Sequence, residues 1–221
     1  MRTIQLFVHL TKQSKMKAVL TGDIVNSTRL TAPAEEKLLK ELRDILSPYK
    51  HEFFRGDSFQ AYLDDPGPAL RTALRCRTAA IGLLPEEADL ISDVRISIGI
   101  GEVTGLVSDL ATAKGEAFLL SGRGLDDMKK ESGRLSIHTG NKMGALALEV
   151  VGDYINSIYK QMTAKQAEVI SELLKDLNQQ EVAEKLKRSK STISQHVSAG
   201  NWEEIEAILD NYLKIIALLE S

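Results

Sequence analysis

Two aspartates, Asp23 and Asp57, each follow a glycine and each stand where an apolar run ends. Brought together, they would form a paired-carboxylate site. Like charges about 4 Å apart repel by about 4 kcal/mol at an effective dielectric of 20. Such a pair therefore needs a bound cation, a proton or an arginine. Mg²⁺ takes one or two carboxylates and fills its shell with substrate phosphates, a familiar way to hold a nucleotide. Ser27 and Thr28 follow the first aspartate and suit helix capping or phosphate donation; no histidine base is near enough in sequence to make either a nucleophile. The simpler reading is that each aspartate only completes its own turn, since Gly-Asp is common turn chemistry.

A second chemical surface runs from Asn178 to Val197. Asn178 can cap one short helix with Val182, Ala183 and Leu186 turned inward, and Ser189 can cap another with Ile193 and Val197 inward. Lys190, Ser191, Thr192, Gln195 and His196 then face out near the amino end of the second helix. A helix-turn-helix lays that end in the major groove, where short donors and acceptors meet base edges. The alternative is a helical hairpin whose polar residues face only water. A preceding pattern, Thr163 to Leu174, supplies the third helix that closes such a core.

Charge supports DNA binding only modestly. Residues 160–200 hold seven Lys/Arg against five Asp/Glu, while the chain as a whole is −3. Phosphate neutralisation supplies most non-specific affinity, so one weakly basic module binds poorly alone, and a homodimer is the expected remedy. Residues 201–221 carry an apolar seam from Ile205 to Leu219, with Asn201 and Glu204 placed like a capping box. This helix can dock on its own chain or form the dimer seam, and its net charge of −4 should keep it away from DNA.

The elements that must position these residues are read from periodicity. The chain has 221 residues, 43% of them apolar, enough for one large or two small domains with real cores. A single cysteine, Cys76, fits a reducing cytoplasm. No apolar run reaches the roughly 20 residues of a membrane span, and no Cys/His spacing suits zinc. Residues 1–15 read as an upstream extension or a loose added strand. Ala18–Leu20 reads as a strand ending in a polar turn at Thr21-Gly22-Asp23. An amphipathic helix follows through Leu38–Tyr49, then a hairpin around Arg55–Ser58 and a helix through Leu70–Leu84. Val94–Ile100 alternates with period two, a helix spans 115–130, and a strand covers Leu135–Ile137. Arg71, Arg75 and Arg77 read as a solvated basic face. The order predicts an α+β, ferredoxin-like βαββαβ sheet with its helices on one face, followed by an all-α helix-turn-helix domain.

The motifs carry resemblances. Gln179–Leu186 followed by Ser189–His196 resembles the helix-turn-helix of response regulators and sigma-factor carboxyl-terminal regions, with Lys187 where those families often have a turn glycine. Residues 17–138 resemble class III nucleotide cyclases. Asp23–Thr28 looks like the first metal motif, with Asn26 where glycine is usual, and Gly56–Phe59 looks like the second. Arg95–Gly101 matches the strand that follows. The resemblance implies metal binding by Asp23 and Asp57 and phosphate binding by Ser27, Thr28 and Arg123. It departs at Phe53, where a base-selecting lysine belongs, at Thr112, where its aspartate partner belongs, and at Leu119, where a transition-state asparagine belongs. The whole set of motifs resembles the SatD-like bacterial family. These resemblances imply a cyclase-like sensing domain over 16–140, a connecting helix over 141–159 and a helix-turn-helix domain over 160–221. The expected function is a bacterial cytoplasmic regulator binding DNA and a nucleotide or other anion without turnover; the alternative is a divergent metal-dependent cyclase or phosphoryl-transfer enzyme.

Overall fold

The computed structural model describes residues 16–54, 56–84, 92–130 and 133–221. The expectation for residues 1–15 lies outside them, as does Arg55 in the hairpin turn. Seven strands are described: β1 (Lys17–Val25), β2 (Lys50–Phe54), β3 (Ser58–Leu63), β4 (Asp93–Gly101), β5 (Val103–Thr104), β6 (Lys114–Gly115) and β7 (Leu135–Thr139). Helices α1 (Ala32–Leu46), α2 (Ala69–Ile81) and α3 (Glu116–Met128) alternate with them. Five helices complete the chain: α4 (Lys142–Tyr159), α5 (Ala164–Leu173), α6 (Gln179–Leu186), α7 (Lys190–Ala199) and α8 (Trp202–Leu219). None of the described helices is long and apolar enough to cross a membrane.

The main sheet has the order β2-β3-β1-β4-β7. β1 lies between β3 and β4 and is antiparallel to both, whereas β7 is parallel to β4. Period-two alternation divides the sheet. Leu20, Ile24, Ala61, Leu63, Ile96 and Ile98 are buried in a core shared with α1 and α2. α3 packs on the opposite face, against β4, β7 and β1. The expectation of helices on one face thus needs correcting, and the reason is local. Gly99 removes the side chain beneath α3: a Cβ there would lie 2.1 Å from the Ala117 carbonyl oxygen.

β1 also runs further than its composition suggested. Thr21, Gly22 and Asp23 belong to the strand rather than to a turn. Thr21 and Asp23 are the members of the alternation that face away from α1 and α2. The turn comes at Asn26, whose φ of 59° is left-handed, a region that asparagine enters more readily than most residues. Lys187, after α6, is also left-handed, at φ 52°. Both positions therefore adopt a backbone that glycine would enter without strain.

Helices α5 to α8 share one core with the sheet's first face. Ala167, Ile170, Val182, Ile193, Ile205 and Tyr212 all join it. α5 packs on α2, and α8 packs on α4 and α2. Asn178 forms a capping box with Glu181, and the Ser189 hydroxyl accepts from the Thr192 amide. Asn201, expected to cap α8, is instead left-handed and makes no side-chain cap bond. The apolar seam of α8 is docked on its own chain: Ile205, Leu209, Tyr212 and Ile216 are buried.

Candidate functional site

Strand register brings the first set of residues together. Asp23 stands opposite Ser58 across β1–β3 and opposite Arg95 across β1–β4. The Ile24 amide donates to the Asp57 carbonyl at 2.9 Å, so Asp57 sits at the hairpin end next to the end of β1. The Asp57 carboxylate accepts from the Ser27 hydroxyl at 2.9 Å and the Ser58 hydroxyl at 3.3 Å. Ser27 opens a 3-10 turn, Ser27–Arg29, that follows Asn26. The two aspartates and Ser27 therefore occupy one end of the sheet.

The required positive charge is supplied within the chain. Arg95 Nε donates to the nearly buried Asp23 carboxylate at 2.8 Å. Sequence reading missed this partner. Alternation placed Arg95 on the face of Ser97, but only the β1–β4 register sets it against Asp23. The cationic cluster extends along this end of the sheet to Arg134. Burial holds the Arg134 guanidinium below its usual pKa, Asp93 opposes that, and nearby Arg95 and Arg77 add to it.

The remaining expected site residues are less well gathered. Thr28 is exposed in the 3-10 turn. Arg123 is exposed on α3 and is hydrogen-bonded to neither aspartate. Leu119 is 51% exposed on the same helix and presents an apolar side chain there. Phe53 pairs with Phe59 across β2–β3 and packs near its ring, on the face opposite Asp23. Leu119 and Phe53 carry no polar side-chain group, so neither of these two can read a base edge or donate to a developing phosphoryl charge.

A cation fits this end of the sheet only with help. Among the described residues no group of three His, Cys, Asp or Glu side chains could hold a metal. Asp57 and the Asp23 oxygen that Arg95 does not occupy could serve as two ligands for Mg²⁺. The other positions would fall to ligand phosphates and water, as is normal for this ion.

A separate groove of about 530 Å³ lies where the sheet's helices meet the carboxyl-terminal ones. Its walls carry both signs of charge, among them Lys37 and Asp44 from α1, Arg75 from α2, and Lys165 and Glu168 from the start of α5. It is remote from Asp23 and Asp57 in composition: neither contributes to its lining.

The second set of residues lies on α7. Ile193 and Val197 are buried, whereas Lys190, Ser191, Ser194, Gln195 and Ser198 are exposed. Thr192 is half-buried, and its hydroxyl lies 2.8 Å from the Ser189 hydroxyl. It belongs to the helix cap as much as to the outer surface. His196 is also half-buried. Ser194, not singled out from the sequence, completes the outward row with Ser191 and Ser198, a spacing visible opposite Ile193 and Val197. Nearby cations are partly spent. Lys175 and Lys185 pair with Glu172, and Arg188 pairs with Glu168. Lys187 and Lys190 carry no ion pair among the described residues.

No family model matches the chain, and no curated protein matches it. Two solved structures, each described as a bacterial light-regulated adenylyl cyclase, are similar to part of it. Identity is 16% with a TM-score of 0.38 for one, and 18% with 0.37 for the other. Each match covers 57% of this chain and 43% of that one, so the similarity spans less than half of either cyclase chain. Likeness at this level carries no functional assignment.

Proposed function

We propose that the chain is a DNA-binding transcriptional regulator in which α6 and α7 act as a helix-turn-helix. The carrying observation is the exposed row Lys190, Ser191, Ser194 and Gln195 on a helix whose opposite side is fixed in the core. Gln195 has the bidentate geometry that reads adenine, and serine hydroxyls reach either donors or acceptors. Lys190 and the amino end of α7 offer positive charge to a phosphate. Since several neighbouring cations are already paired, two copies are needed for useful affinity. The SatD-like resemblance, rather than the helix-turn-helix, implies a bacterial cytoplasmic setting for this regulator.

The expected result is that Lys190→Ala combined with Gln195→Ala abolishes sequence-specific retardation of genomic fragments, with an unchanged circular dichroism spectrum. Both side chains are exposed, so folding should not be disturbed. Retardation equal to that of the unaltered protein would remove the recognition role.

The sheet domain is read as a sensor of a nucleotide or similar anion held with Mg²⁺ at Asp23, Asp57, Ser27, Thr28 and Arg123. Asp57, partly exposed and flanked by two hydroxyls, favours this. Mg²⁺ with a nucleoside triphosphate should raise the melting temperature, and Asp57→Ala should remove that rise. An identical rise in the variant would place the ligand elsewhere, with the groove beside α5 the next site to test. The competing reading is metal-dependent phosphoryl transfer. It is disfavoured by Leu119 and Phe53, which carry no polar group, and cyclic product formed with Mn²⁺ would restore it.

A further inference from the structure

The face of α4 that points away from the core is not polar. Met143, Leu146, Val150 and Tyr154 are 78%, 59%, 61% and 44% exposed, and their spacing of three, four and four residues makes one stripe. The stripe rises over about 16 Å of helix. A surface helix of a monomer normally presents charge here, and a contiguous apolar patch marks an interaction site. α8 reinforces one end: Leu219 lies over Gly144, and its neighbour Leu218 is 75% exposed.

The charges beside the stripe indicate what covers it. Lys142 precedes it and Asp153 stands near its far end, and neither makes an ion pair among the described residues. Lys142 also sits in the first turn, where the helix macrodipole disfavours a cation. The order of cation, apolar residues and anion is self-complementary when read in reverse. Two copies of α4 laid antiparallel about a two-fold axis near Leu148 would set Leu146 against Val150 and Met143 against Tyr154. Lys142 of each copy would then approach Asp153 of the other. A parallel pairing would instead put Lys142 on Lys142 and Asp153 on Asp153.

We propose that this face of α4 is an isologous interface between two copies of the chain, with apolar centre and Lys142–Asp153 pairs across the axis. It deepens the dimeric regulator proposed above and moves the seam from α8, which is occupied, to α4. The same axis brings Glu149 near its own copy, which opposes association.

The test is the dimer dissociation constant of the full chain, measured by analytical ultracentrifugation without DNA. Leu146→Glu with Val150→Glu should weaken the dimer about 100-fold. Lys142→Glu and Asp153→Lys should each weaken it about 10-fold, while the two together restore it to within about 3-fold of the unaltered chain. Glu149→Gln should tighten it. All these side chains are exposed, and an unchanged melting profile of the monomeric variants certifies folding. A monomeric full chain, a dimer indifferent to the Glu variants, or additive rather than compensating charge reversals would each overturn the proposal. Additive losses would show that Lys142 does not face Asp153 across the axis, and indifference to the Glu variants would indicate a different occupant of the stripe, such as another protein. Because no DNA is present, a dimer that then fails to retain DNA would refute the regulator reading and leave this interface standing.

Discussion

Replacing Arg77 with alanine is expected to destabilise the chain by about 3–5 kcal/mol, the usual cost of breaking a buried ion pair by removing one partner. The guanidinium is 1% exposed. It donates to both Asp93 oxygens at 3.1 and 2.8 Å and to the Asn156 side-chain oxygen at 3.3 Å, and it lies 4.6 Å from the centre of the Tyr159 ring. Alanine would leave Asp93 charged and buried. It would also disturb Asn156, which bonds both backbone groups of Leu135 and so ties α4 to β7. A compensated Arg77→Met, Asp93→Leu variant should recover part of the loss, because removing both charges removes the desolvation cost. It should not recover all, since the Val94 amide also donates to Asp93 at 2.7 Å. Urea unfolding with an unchanged slope measures both. A loss under about 1 kcal/mol for Arg77→Ala would contradict this account of the buried pair.

Tyr212→Ala should cost a similar amount, about 3–5 kcal/mol, as expected for truncating a large buried aromatic ring. Tyr212 is fully buried, and its hydroxyl donates to the Pro66 carbonyl at 2.7 Å. It fastens α8 to the loop before α2 and joins the carboxyl-terminal helices to the sheet. Tyr212→Phe removes only the hydrogen bond and should cost about 1 kcal/mol. The comparison separates ring packing from the bond. A single cooperative transition in both variants is expected, because one apolar core spans the two halves. If Tyr212→Ala instead produced two transitions with the sheet unaffected, the halves would be independent units.

Both results depend on features that were partly hidden in the sequence. Arg77 read as one of three arginines on a solvated face, because helical spacing cannot reveal that Asp93 waits on β4. Arg71 does reach the surface and pairs with Asp176. Local chemistry was more legible. Asn178 and Ser189 were readable as caps because each needs only the next three residues. Asn201 had the same signature, but its backbone is left-handed and its side chain does not cap. The strand content of Thr21-Gly22-Asp23 was obscured by turn-forming residue types. Only pairing with β3 and β4 makes their polarity that of a second sheet face.

The candidate site shows the same division. Asp23, Asp57 and Ser27 could be named from two short motifs, and the structure gathers them. Arg95 could not be assigned to Asp23 without the register. On α7, the outward row was legible from 3.6-residue periodicity, including the overlooked Ser194. The partial burial of Thr192 and His196 was not, since it depends on how α7 leans on α5, α6 and α8.

The central claim is that the outer side chains of α7 touch base edges. Selection from a pool of random DNA duplexes at moderate salt, followed by sequencing, tests it most directly. The account predicts enrichment of one motif with two half-sites about one helical turn apart, 34–36 Å as for other major-groove dimers, and its loss on Gln195→Ala. A pool that remains random under the unaltered protein would contradict it.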